Sequence, residues 1–246
     1  SYPNVIPGFS IYYILMVYDH MMYFGDSALV AEHMPTMDLV LHYFERHLTP
    51  EGYVEKGGGV LMEARFWSFI DWADDWNDTS GMPTAGLRGP LTMETLLYIY
   101  GLQHAAELAE YLGRAEEAQL YRARAERAQE AVRTYCMGEN GLIQDGPGIE
   151  EYSQHCQVFA LLTDTVDPEQ GKSRSVKDDR GTRFHAVYGR YAFLPVPRAG
   201  EDRTICLYRP VLGDLEGDGA AALHHLCGIR GLFAQRMPCL GPPDSV

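Results

Sequence analysis

The sequence predicts a mostly α chain in which helical hairpins lie side by side as a toroid or solenoid, followed by an irregular C-terminal tail. Three observations carry this. Apolar residues recur at three- and four-residue spacing in long runs that stop at glycine. The order helix, glycine turn, helix, glycine turn occurs twice. Tyr23-Phe24-Gly25 precedes a helix stopped at Pro50-Glu51-Gly52-Tyr53-Val54, and Tyr111-Leu112-Gly113 precedes one stopped at Glu139-Asn140-Gly141-Leu142-Ile143, with glycines 27 and 28 positions apart. Composition also shifts near Val166: residues 1–166 hold 24 acidic and 9 basic side chains, whereas residues 167–246 hold 10 and 11, with seven of the 14 prolines and three of the five cysteines. The expected units are therefore 1–166, a helical domain, and 167–246, an irregular tail.

Taken in order, Ser10 is an N-cap candidate for a helix over residues 11–24, apolar nearly all round and so expected to be buried on most sides, with Gly25 as its stop. A second helix has Pro35 near its first turn and Met37, Val40, Leu41, Phe44 and Leu48 on one face. Residues 53–66, with Gly57-Gly58-Gly59, read as loop or short strand. A second loop over 81–89 leads to Pro90, placed to open a helix over 91–112 whose face holds Leu96, Leu97, Tyr100, His104, Leu108 and Leu112, and which Gly113 ends. Residues 116–136 alternate Ala, Arg and Glu in a helix whose charges are read as a solvated face. Residues 137–151 are a polar loop, and Ser153 can cap a last helix.

Between the two glycine-rich loops stands Phe66-Trp67-Ser68-Phe69-Ile70-Asp71-Trp72-Ala73-Asp74-Asp75-Trp76, which holds all three tryptophans of the chain. Indoles offer flat apolar faces to a sugar ring, and carboxylates accept hydrogen bonds from its hydroxyls or move protons. In a toroid this segment and residues 137–151 are both loops between hairpins and should meet at one end. The net charge of −14 points away from nucleic acid and anionic membranes as partners, since both reward basic residues. No apolar run reaches the roughly 18 residues of a membrane span, and no signal-like segment opens the chain. The cysteines show neither a disulfide framework nor metal-ligand spacing, and no metal is expected. His20, His33, His42 and His47 are read as packing or surface residues.

Residues 1–166 resemble the central part of the (α/α)6 barrel, the six-hairpin glycosidase toroid, of bacterial and fungal α-L-rhamnosidases. The resemblance is carried by Tyr2-Pro3, Ile6-Pro7-Gly8-Phe9-Ser10, Trp67-Ser68-Phe69-Ile70-Asp71-Trp72, Gly141-Leu142 with Asp145, and Tyr152-Ser153-Gln154-His155. It implies a glycoside hydrolase that removes terminal α-L-rhamnose without a cofactor, with a rhamnoside as its carbohydrate partner. It also implies a substrate-binding set of Trp67, Asp71, Trp72, Tyr152 and His155. Plainer readings stand beside it: Asp71 can cap a local turn, His155 can bond a nearby carbonyl, and Trp76, outside the set, can be a packing residue as readily as a ligand contact.

Inversion at the sugar carbon needs an acid and a base carboxyl roughly 6.5–9.5 Å apart. In the family the acid lies in a motif expected upstream of Ser1, and the base lies in a Thr-Thr-rich segment ending in glutamate before a Cys-His-Ala-Trp-like string. Neither segment occurs here, so the catalytic residues are unassigned and the chain is expected to be an inactive fragment. Across residues 223–241 a choice of codons read one nucleotide later permits such a base segment. Residues from about Gly171 onward are therefore expected to be out of frame. Two further readings stand beside this one: another (α/α)6 carbohydrate enzyme, such as an unsaturated glucuronyl hydrolase or trehalase relative, and a non-catalytic helical repeat module for a protein partner. Converging loops favour the glycosidase; an apolar concave helix face favours the module.

Overall fold

The structure, a computed structural model, describes residues 4–62 and 64–166; the expected out-of-frame tail lies outside them. Among the described residues the chain forms five α-helices: α1 (Phe9–Phe24), α2 (Ser27–Glu45), α3 (Thr92–Tyr111), α4 (Ala115–Tyr135) and α5 (Gln154–Leu162). Two short 3-10 helices, Asp74–Thr79 and Thr84–Leu87, lie in the long loop before α3. The helices pair as antiparallel hairpins α1/α2 and α3/α4, with α5 packed on α3. This is the mostly α hairpin fold that the periodicity predicts.

The predicted repeat is present in hydrogen-bonding detail. Past α2 the chain folds back in a small antiparallel turn, with Thr49 N–H donating to Tyr53 O (2.8 Å), Glu55 N–H to His47 O (2.7 Å) and Gly52 at φ 102°. Past α4 the same pattern recurs: Gly138 N–H to Leu142 O (2.9 Å), Gln144 N–H to Cys136 O (2.8 Å), and Gly141 at φ 77°. Positive φ at the turn apex is a conformation that glycine adopts without a Cβ clash. Each turn then docks on the following helix through that helix's fourth residue. Val54 N–H bonds Thr95 Oγ1 (2.9 Å), and Ile143 N–H bonds Gln157 Oε1 (3.0 Å).

Burial redistributes what the sequence suggested. α1 buries only the stripe Ile11, Ile14, Val17 and Met21, leaving Tyr12, Met16, Tyr23 and Phe24 exposed. It is α3 that is enclosed on most sides, because α1, α2, α4 and α5 all pack against it. α1 and α3 approach closely: a Cβ on Gly101 would lie 3.0 Å from Ile11 Cδ1. The core they share runs through Ile11, Leu41, Phe44, Leu96, Ile99 and Leu102.

Four local expectations are corrected. Ser10 does not cap α1; its hydroxyl donates to Pro7 O at 2.6 Å, and the N-cap is Gly8. Pro35 lies inside one continuous α2 that opens at Asp26, whose carboxylate accepts from Leu29 N–H. The proline sits on the exposed side, where water can take the Ala31 carbonyl that its ring leaves unbonded. Pro90 precedes α3, whose N-cap is the extended Leu91 and whose Thr92 N–H is taken by Asp145 O (2.9 Å). The α4 charges are not all solvated either. Arg124 is buried, donating to Tyr98 Oη (3.0 Å) and Leu41 O (3.2 Å) and pairing with Glu45 (3.3 Å). Elsewhere the reading holds: Ser153 Oγ accepts from Cys156 N–H at 3.3 Å, and Gly113 closes α3 with Gly113 N–H on Glu110 O and Arg114 N–H on Ala109 O.

Candidate functional site

The site grows from the glycine-rich loop. Residue Trp67 lies between two extended neighbours: its N–H donates to Val5 O (2.8 Å), while Gly59 N–H donates to Phe66 O (2.9 Å) and Ser68 N–H to Gly59 O (3.1 Å). Alternation along an extended chain sends Ser68 inward, where it is buried, and leaves Trp67 and Phe69 half-buried on the other side. Trp67 Nε1 is fixed to Ser80 O (3.2 Å). Gly81 then turns the chain, its carbonyl accepting from both Ile70 and Asp71 N–H.

The result is a shelf of rings. Trp67 lies 4.9 Å from Phe69 and 5.9 Å from Trp72, and Phe69 lies 5.1 Å from Trp72 and 5.9 Å from Phe9 at the start of α1. Trp72 is 61% exposed, so its face is open. At the edge of the shelf, Asp71 Oδ2 and His155 Nε2 meet at 3.0 Å although 84 positions separate them. The other oxygen, Asp71 Oδ1, accepts from Trp72 N–H at 2.8 Å. The plainer reading of Asp71, a local backbone contact, is therefore present through one oxygen, while the other oxygen faces His155. Trp76 is buried and supports the imidazole from below, ring centres 5.2 Å apart. Tyr12 is exposed over much of its surface, yet partial burial first, and then the negative charge of Asp71, raise its phenol above the ordinary 10.0.

Of the sequence-predicted set, Trp67, Asp71, Trp72 and His155 come together at the N-terminal ends of α1, α3 and α5. Tyr152 does not join them through a contact; its hydroxyl packs over Gly138, where a Cβ would come within 2.5 Å. Phe9, Tyr12 and Phe69 belong to the shelf and were not singled out, although Phe9 and Phe69 sit inside the quoted motifs. Two of the four histidines read as packing or surface residues have nearby polar partners: His33 meets Tyr13 Oη between α2 and α1 (2.6 Å), and His47 meets Tyr43 O (2.7 Å). No group of three or more possible metal ligands occurs among the described residues.

Stacked helical hairpins whose interhelical loops converge at one end define a hairpin-toroid architecture of the (α/α)6 type. The chain belongs to the family described as the bacterial alpha-L-rhamnosidase six-hairpin glycosidase domain, whose model matches residues 2–189. Two solved structures are similar. One is a GH78-family rhamnosidase of Bacillus sp. GL1, 24% identical with a TM-score of 0.53, covering 67% of this chain and 16% of that one. The other is a rhamnosidase from Klebsiella oxytoca with rhamnose bound, 21% identical with a TM-score of 0.54, covering 68% of this chain and 29% of that one. The aligned region is thus under a third of either relative's length. A search of curated proteins gives no match.

Proposed function

We propose that the chain carries the sugar-binding part of an α-L-rhamnosidase, a glycoside hydrolase that releases terminal α-L-rhamnose with inversion, and that alone it binds the sugar without cleaving it. The observation that carries this is the Asp71–His155 contact at the edge of the aromatic shelf, which joins the long loop before α3 to the first turn of α5 beside an open indole face, as a sugar cleft requires. Trp67 and Trp72 offer faces to the apolar side of a pyranose. Asp71, already oriented by Trp72 N–H and His155, accepts from sugar hydroxyls, and the imidazole donates or accepts beside it. Tyr152 is assigned to the rim. Inversion needs two carboxyl groups flanking the bond with room for a water, whereas the carboxylate of this pair faces an imidazole; its role is therefore binding.

The test is a titration with L-rhamnose followed by intrinsic fluorescence, since all three tryptophans lie in the loop. Saturable quenching is expected, and Trp72→Ala should weaken binding about tenfold, the equivalent of ~1.4 kcal/mol. Release of the aryl group from an aryl α-L-rhamnoside by the chain alone would refute the non-catalytic assignment.

A further inference from the structure

Glu94 is the third residue of α3 and is 1% exposed. A glutamate at this position of a helix ordinarily turns back to its own N-terminus. Here the carboxylate leaves the helix and accepts from Gly57 N–H at 2.7 Å. Gly57 opens the glycine triplet that lies against the strand of Trp67. The fit leaves no space: a Cβ on Gly58 would sit 2.1 Å from Phe66 O, and one on Gly57 would sit 3.4 Å from both Glu94 carboxyl oxygens. Ser68, next to Trp67, buries its hydroxyl beside the same carboxyl without closing a well-aligned hydrogen bond to any described residue. Tyr43 Oη, also without a partner among the described residues, lies within reach of its charge.

A carboxyl placed this deep destabilises the fold unless it organises polar groups around it. In the second repeat the third residue of α5 is Cys156, and the loop there is tied instead by Asp145, whose Oδ1 accepts from Ser153 N–H at 2.8 Å. Of the two repeats among the described residues, the tryptophan-bearing loop is the one held by a carboxyl from inside a helix.

We propose that Glu94 is a positioning residue for the aromatic shelf: its carboxyl pins Gly57, and through Gly59 and Ser68 fixes the strand that presents Trp67 beside Asp71. The binding arm of this inference rests on the rhamnose reading above; the spectroscopic arm does not. Two conservative variants separate reach from charge. Glu94→Asp keeps the charge but withdraws the carboxyl by about 1.5 Å, one carbon–carbon bond, and should lose Gly57. Glu94→Gln keeps the reach, with an amide oxygen for Gly57 N–H and an amide N–H for Ser68 Oγ.

The experiment measures acrylamide quenching of the tryptophans and the L-rhamnose Kd for the full chain and both variants, with far-UV circular dichroism as the folding control. E94D should be quenched about twofold more steeply and bind about tenfold more weakly, while E94Q stays within about twofold of the parent. Parent-like quenching by E94D overturns the proposal, as does an E94Q as disturbed as E94D. A parent that binds no rhamnose sinks the sugar reading alone, and the quenching comparison still decides this one.

Discussion

Asp71 makes two unlike contacts from its two oxygens, so its variants can be read separately. Asp71→Asn retains an oxygen for Trp72 N–H but removes the charge facing His155, and rhamnose binding should fall about tenfold while the melting temperature stays put. His155→Ala should cost a similar factor, and the double variant should cost less than the product of the two, a coupling seen in a double-mutant cycle. Buried carboxyls make stability depend on pH. Burial is the leading cause that raises Glu94 above its ordinary 4.5 and Asp145 above 3.8, against the opposing pull of Gly57, Ser68, Lys56 and His47 on the first and of Ser153 on the second. The native state then holds protons that the unfolded chain has released. Stability from these groups is fully present below 3.8–4.5 and is lost as pH rises through the raised native values. Burial lowers His104 below 6.5, which works oppositely, costing stability as pH falls through its native value. The check is differential: E94Q should melt at a temperature less sensitive to pH above 4.5 than the parent does.

At the scale of elements, two structures test how far local rules carry. Gly113 ends α3 at φ 73° with nothing near its missing Cβ, so Gly113→Ala probes backbone strain alone. Urea unfolding should show a loss of about 1 kcal/mol. Arg124 ties α4 to α2 and α3 from a buried position. Its replacement by alanine should cost about 2–3 kcal/mol, less than a fully buried pair because Glu45 remains partly in water. Arg122, exposed and paired with Glu110, should cost no more than about 0.5 kcal/mol. The glycine stop was legible in the sequence because αL geometry is a property of one residue. The burial of Arg124 was not, because an Ala/Arg/Glu helix repeats its charges on every face, and only the position of Tyr98, Leu41 and Glu45 across the interface selects one of them.

In the whole molecule, the exposed side chains Met16, Tyr23 and Phe24 of α1 form an apolar face on an otherwise acidic chain. Patches of this kind drive association. Sedimentation should show concentration-dependent self-association, reduced by Met16→Lys with Phe24→Lys. The sequence by itself determined the helices, their glycine stops, the repeat and the family, because periodicity and turn chemistry are written in neighbouring residues and the motifs keep their order. It also marked Trp67, Asp71, Trp72 and His155 as separate candidates. Tertiary structure alone decided which of two apolar helices is enclosed, since α1 and α3 look alike until their neighbours are counted around them. It likewise decided that Asp71 meets His155 across 84 positions, that Tyr152 turns to Gly138, and that Glu94 leaves its helix for Gly57. Those pairings depend on how hairpins stack, and stacking brings together residues whose separation along the chain carries no record of it.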